Sequence, residues 1–281
     1  MTFGHDLAQA MSHYGPLSVG VDPSREELSS WGMPDTPEGV MAYSMSILEA
    51  AANHVAAVKF QVAFFERHGA RGFAVLEHCL DWCAGHNVLS IADAKRGDIG
   101  STMNGYAEAF LMPGSPLEAD AVTLSPYLGF ESLRPAMDLA HEHRKGIFVL
   151  CLTSNPEGAS VQHATHGQGV SVARAIAEAA TAENASADGM GSVGLVIGAT
   201  VGEALRDLHI DVSALRGPIL APGIGAQGAT AQDAAEVFGE ASSWVLAHQG
   251  RSLSSAGPIV EKLRSAMVVA AHELRTELQA S

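Results

Sequence analysis

The stretch "LSIADAKRGDIGST", from Leu89 to Thr102, begins as an apolar run and then breaks into four charged side chains, Asp93, Lys95, Arg96 and Asp98, with two glycines among them. A short apolar run without polar alternation reads as a strand covered on both faces, as in a parallel sheet. Charge crowded onto the end of such a strand fits the C-terminal mouth of an α/β barrel, where catalytic groups gather. A solvated strand end or a structural ion-pair network would carry the same residues, so the other strand ends have to separate these readings. Asp93 and Lys95 are two positions apart, and on an extended strand both side chains point the same way, into the mouth. Arg96 points to the opposite face and is expected to be structural.

Working outward, similar runs recur along the chain: "LSVGVD" from Leu17, "VAAVKFQ" from Val55, "AVTLSP" from Ala121, "IFVLCLTS" from Ile147, "SVGLVIGAT" from Ser192, "PILAPGIG" from Pro218 and "SSWVLAHQG" from Ser242. Helical periodicity fills the gaps, as in Pro37 to His54, Gly72 to His86, Phe130 to His143, Val170 to Asn184 and Gly257 to Leu278. Strand and helix alternating about eight times is the pattern of an α/β fold of the (β/α)8 TIM-barrel type. A doubly wound sheet is the alternative, but it usually needs fewer strands. No composition break marks a second domain, so residues 1–281 are read as a single barrel domain. Asn155 to Gly169 reads as a long loop after the fifth strand.

Composition narrows the function. Of 281 residues 47% are hydrophobic, and 31 acidic against 16 basic side chains give a formal net charge of -15. Such a surface repels phosphate backbones, which argues against nucleic-acid partners. Any anionic ligand must then be met by a local concentration of scarce cations. The three cysteines, Cys79, Cys83 and Cys151, have no zinc-site spacing and read as reduced core thiols. No basic leader followed by an apolar core opens the sequence, and no apolar span reaches the roughly 20 residues of a membrane helix. The expected location is cytoplasmic.

The remaining strand ends place Asp22, then Lys59 with Gln61, then Thr123 with Ser125, then Ser154 with Asn155 on the same rim. Lys59 ends the strand beside Asp93, and a lysine, aspartate, lysine set holds each charge through its opposite neighbour. After the seventh strand, "APGIGAQGA" from Ala221 offers backbone N–H groups on a glycine-rich turn, and "QGRS" from Gln249 follows the eighth. Turns in these two places are where such barrels bind phosphate. Arg251 supplies a scarce cation there.

With "VKFQ" before it and "APGIGAQG" and "GRS" after it, "DAKRGDIGST" closely resembles the orotidine 5'-phosphate decarboxylase family, over nearly the whole chain from Asp22 to Arg251. The "SPYLGF" and "TSNPEGA" stretches resemble its longer bacterial branch. The resemblance implies decarboxylation of orotidine 5'-phosphate to UMP without metal or organic cofactor, in a homodimer with shared sites. It implies a charged network of Lys59, Asp93, Lys95 and Asp98, with Lys95 protonating C6 of the pyrimidine and Asp93 facing the substrate carboxylate. Lys59 and Asp22 would hold ribose hydroxyls, Ser154 the pyrimidine amide, and Gln227 with Arg251 the phosphate, with Pro222 and Gly250 also in the substrate site. Asp98 and Thr102 would reach into the partner's site, and Ile99 would line the shared pocket. His163 and His166, in the loop after the fifth strand, are expected to be solvent-exposed. Two rivals share the fold: a magnesium-dependent sugar-phosphate decarboxylase, which Lys59 opposes by placing a cation at the metal position, and a Schiff-base aldolase, which needs an uncharged lysine.

Overall fold

All eight apolar runs become parallel strands: β1 Leu17–Val21, β2 Ala57–Gln61, β3 Ser90–Arg96, β4 Ala121–Leu124, β5 Gly146–Leu152, β6 Val193–Ile197, β7 Ile219–Pro222 and β8 Val245–Gln249. Each pairs with its sequence neighbour, and β8 pairs with β1 to close the barrel. The computed structural model describes residues 1–167, 169–225 and 228–278.

Period-two alternation divides each strand between two cores. Outward residues such as Val19, Val58, Phe60, Ala92 and Val122 pack against the helical ring. Inward residues Ala57, Ile91, Ala121, Phe148, Val196, Leu220 and Leu246 form a second, inner cluster. Beyond the eightfold repeat there is a helix at Phe3–Tyr14, whose apolar residues Phe3, Leu7 and Met11 join that inner cluster. Phe3 meets Phe148 edge-on, with ring centroids 6.0 Å apart. A Cβ at residue 146 would stand 2.2 Å from the Phe3 ring, so only Gly146 admits it. The inner core thus fills from the N-terminal side and leaves the C-terminal mouth to polar groups.

The helices follow the expected periodicity with adjusted ends. Pro37–Ala51 starts at an N-cap, Thr36, whose side chain accepts from the Gly39 N–H, and proline occupies the first helical position, where its missing N–H is no loss. The segment expected as one helix from Phe130 is a 3-10 turn, Phe130–Leu133, followed by Arg134–His143, because Pro135 fits only a helix's first turn. The helix expected from Val170 begins at Val172, capped by the Ser171 hydroxyl on the Arg174 N–H. The described residues of the expected loop Asn155 to Gly169 include regular elements: a 3-10 turn at Pro156–Gly158 and a short helix Ala159–Gln162 precede an antiparallel pair of two-residue strands, Thr165–His166 and Val170–Ser171. Cys79, Cys83 and Cys151 are free and buried, as expected, and burial pushes the Cys79 and Cys151 thiols up to about 12. Among the described residues no helix is long and apolar enough to cross a membrane.

Candidate active site

The alternation that buries Ala57 and Ile91 at the bottom of the barrel brings Lys59 and Asp93 into its mouth. Lys59 Nζ donates to Asp93 Oδ2 at 2.7 Å, and Lys95 Nζ donates to Asp93 Oδ1 at 2.6 Å. Lys59 and Asp93 are almost wholly buried, whereas the Lys95 side chain keeps 43% of its surface exposed. Lys59 therefore neutralises the carboxylate from the cavity floor, and Lys95 reaches further into the open cavity. Burial alone would raise the Asp93 carboxyl, but the adjacent Lys59 and Lys95 outweigh it and hold the group well below the usual carboxylate range. Burial likewise opposes the charge on Lys59, and Asp93 and Asp22 reverse that and raise its pKa.

Thr123, at the end of β4, ties the set together. Its hydroxyl donates to Asp93 Oδ1 at 2.8 Å and accepts from the Lys95 N–H at 2.9 Å. Gln61 Oε1 lies 3.4 Å from Lys95 Nζ. The two lysines and their carboxylate are positioned from three adjacent strands, β2, β3 and β4.

Asp22, just past β1, is raised by burial, with Lys59 opposing. Its Oδ1 is buried with no hydrogen-bond partner among the described residues. Buried carboxylate oxygens are normally satisfied, so this acceptor suits a ligand hydroxyl. A Cβ on Gly250 would stand 2.7 Å from Asp22 Oδ2, so the β8 turn approaches Asp22 closely only because residue 250 is glycine.

Lys59, Asp93, Lys95, Asp22, Pro222, Gly250 and Arg251 all line one cavity of about 290 Å³. Arg251 is exposed at its rim. The glycine-rich turn after β7 uses its own N–H groups more than expected. Gly225 N–H bonds to Ala229 O, Gly228 N–H to Gly225 O and Ala229 N–H to Gly223 O. Gln227 lies outside the described residues.

Ser154 is not among the residues that line this cavity, whereas the residue before it, Thr153, contributes to the wall. Asp98 is not part of the chain's own charged set: the strand ends at Arg96, the chain turns at Gly97, and Asp98 Oδ1 accepts the Ile99 N–H at 2.8 Å. Ile99 and Thr102 are exposed, away from this cavity, Ile99 by 61%. His163 and His166 are exposed and outside the cavity lining, as expected.

Sequence reasoning passed over His248. It is buried at the end of β8, with Nδ1 3.4 Å from the Ser18 hydroxyl, and it lines the cavity floor with Leu150, Val196 and Leu220. Burial and then the Lys59 charge push its pKa well below the ordinary value, so the imidazole is neutral. The available signal was its position in "VLAHQ", two residues after the inward Leu246. Arg96 faces outward as expected, ion-paired with Glu66 and stacked over Tyr106.

Comparison with known proteins agrees with this geometry. Residues 15–266 match the model of the Orotidine 5'-phosphate decarboxylase / HUMPS family. The chain is 49% identical over 280 residues to an orotidine 5'-phosphate decarboxylase of Streptomyces coelicolor, covering 99% of each, and 46% identical over 270 residues to that of Corynebacterium glutamicum, covering 95% of each. A Streptomyces avermitilis protein of known crystal structure superposes with a TM-score of 0.95 at 48% identity, over 99% of this chain and 96% of that one. The OMP decarboxylase of Leishmania donovani gives 0.79 at 30% identity, over 99% and 100%. Full-length matches of this kind, on a barrel whose mouth holds Asp93 between two lysines, place the chain in the orotidine 5'-phosphate decarboxylase family.

Proposed function

We propose that the chain decarboxylates orotidine 5'-phosphate to UMP by fixed electrostatics, with its own side chains and no metal. The observation that carries this reading is the buried Asp93 held between Lys59 and Lys95 at 2.7 and 2.6 Å. Loss of CO2 from C6 leaves an electron pair in the plane of the pyrimidine ring, where no π-system receives it. Stabilisation must then come from charge already aimed at that carbon. The partly exposed Lys95 ammonium is the group to do this, and it then delivers a proton to C6. The bond broken is C6 to the carboxyl carbon, the pair stays on C6, and the lysine proton joins it.

The rest of the cavity fits the substrate's other parts. Asp22, with its unpartnered oxygen, and Lys59 suit ribose hydroxyls, and Arg251 with the β7 turn suits the phosphate. Thr153 in the cavity wall, with Ser154 next to it in the chain, suits the pyrimidine amide. Ile99, just after β3, and Tyr127 and Leu128, just after the neighbouring β4, are large apolar side chains left exposed, the last two 78% and 54% accessible. Apolar surface of this kind marks an interaction site, and it supports a homodimer in which Asp98, Ile99 and Thr102 complete the partner's cavity. The three buried thiols fit a reducing, cytoplasmic compartment.

Lys59 opposes a divalent cation beside Asp93, and the ion pairs of both lysines oppose Schiff-base chemistry. The test is to incubate purified protein with orotidine 5'-phosphate and excess EDTA and follow loss of orotate absorbance. UMP formation is expected. No turnover by folded protein, turnover restored only by magnesium, or a substrate adduct trapped by borohydride would each reject the proposal.

A further inference from the structure

Lys95 has a φ of +48°, in the left-handed region that side chains with a Cβ rarely adopt. It does so inside a bulge: between the paired positions Ala92–Val122 and Arg96–Leu124, three residues of β3, Asp93 to Lys95, lie against one of β4, Thr123. A strained backbone at a reacting group persists only where its surroundings over-determine it. From inside the barrel, Thr123 accepts the Lys95 N–H. From outside, three contacts converge on the next residue.

We propose that Arg96 is a positioning residue for the decarboxylation, bracing the bulge from outside the barrel so that Lys95 is turned inward toward Asp93 and the cavity. Its Nη1 donates to the carbonyl of Ala94, the residue before Lys95, at 3.0 Å. Its Nη2 pairs with Glu66, at the end of the helix Ala63–Glu66 that follows β2. Its guanidinium carbon lies 5.7 Å from the ring centroid of Tyr106, on the helix Gly100–Leu111 that follows β3. Its backbone takes part as well, because the Arg96 carbonyl accepts the Ser125 N–H at 2.7 Å. Only the planar fork of arginine serves the carbonyl, the carboxylate and the ring at once, and a lysine would satisfy one of them. The brace links the loop after β2, the strand carrying Lys59, to the bulge that carries Lys95.

This reading rests on the proposed decarboxylation, and its test separates the two. Wild type, Arg96→Met, Arg96→Lys and Glu66→Gln are compared for kcat, for affinity for UMP and for thermal midpoint, and the Arg96→Met protein is crystallised. Misplacement of a catalytic group by an ångström lowers rate by about 100-fold. Arg96→Met is therefore expected to lose about 10- to 100-fold in kcat while UMP affinity stays within about 3-fold. Glu66→Gln should lose less, and adding it to Arg96→Met should lower kcat no further, since Glu66 acts through Arg96. A merely structural role would lower the midpoint and leave kcat of the folded protein unchanged. Wild-type kcat in folded Arg96→Met or Glu66→Gln would overturn the proposal. Should Arg96→Met not fold, Glu66→Gln and Arg96→Lys decide by the same criterion. Should wild type itself show no turnover, the decarboxylase reading fails, and the brace is judged by structure: Lys95 keeping its φ near +48° in the Arg96→Met or Glu66→Gln protein overturns it.

Discussion

Replacing Thr123 with valine keeps the shape of the side chain and removes its hydroxyl. In the folded protein that hydroxyl donates to the Asp93 carboxylate at 2.8 Å and accepts the Lys95 N–H at 2.9 Å, and Thr123 is fully buried. A hydrogen bond to a charged group contributes about 1.5–3 kcal/mol, and leaving a buried N–H unpaired costs about 1–3 kcal/mol. The two are coupled through one atom, so Thr123→Val should lose about 2–4 kcal/mol rather than the full sum. At roughly 2–4 °C per kcal/mol for a chain of this size, the thermal midpoint should fall by about 5–15 °C. Asp93 would also lose a donor that steadies its charged form, so its carboxyl should titrate higher. The sign follows from linkage: a carboxyl depressed in the folded state adds stability above its unfolded pKa and loses it as pH falls through the folded value. With the folded value raised, acid unfolding of Thr123→Val should begin at a higher pH than in the wild type. The kcat should drop by about 10- to 100-fold as Asp93 and Lys95 lose their common anchor. Thermal and urea melts at neutral and acid pH, with orotate absorbance for kcat, read all of this, and Thr123→Ser should restore it. Wild-type stability together with wild-type kcat in Thr123→Val would show that the hydroxyl anchors neither Asp93 nor Lys95.

Asp22 runs the other way. Burial raises its carboxyl in the folded state, so the folded chain binds more protons than the unfolded one once pH passes the ordinary carboxyl value, and stability falls as pH rises through that window. Asp22→Asn should therefore be more heat-stable than wild type at neutral pH and weaker in activity, and a lower midpoint by calorimetry would contradict this. Sharing of the site predicts that Lys95→Ala and Asp98→Ala proteins, each nearly inactive, regain activity when mixed, because one hybrid site is intact. Failure to recover after confirmed subunit exchange would count against a shared site. Phe3→Ala should lose about 3–5 kcal/mol, the usual loss for a buried ring, because Phe3 fills the base of the barrel against Phe148. A denaturant midpoint unchanged from wild type would show that the helix Phe3–Tyr14 is not part of the core.

The barrel was legible because a parallel strand buried on both faces must be continuously apolar, and eight such runs stand apart from helical spacing. Lys59 and Asp93 were legible for the same reason: alternation alone sends them inward. Lys95 reached the expected place by another route, since the bulge in β3 breaks the alternation that was used to aim it. Backbone of that kind depends on Thr123, Ser125 and Glu66, which lie on other elements, and no local pattern announces it. Phe3–Tyr14 was missed because its apolar face seals a barrel end that only the closed sheet creates. His248 was missed because a neutral imidazole in a strand looks like any half-polar residue until Ser18 and Lys59 are placed around it. The turn after β7 kept its glycines, but the N–H groups of Gly225, Gly228 and Ala229 bond within the turn itself, which spacing does not reveal.

In the proposed mechanism the Lys95 ammonium stabilises charge that develops at C6 only in the reaction. The most direct test is the kcat of Lys95→Ala on orotidine 5'-phosphate beside its affinity for UMP, which carries no charge at that carbon. Removal of a preorganised electrostatic group and proton donor should lower kcat by at least about 1,000-fold while UMP affinity changes by less than about 10-fold. Near-wild-type kcat in folded Lys95→Ala, or a loss of UMP binding as large as the loss of rate, would contradict the account.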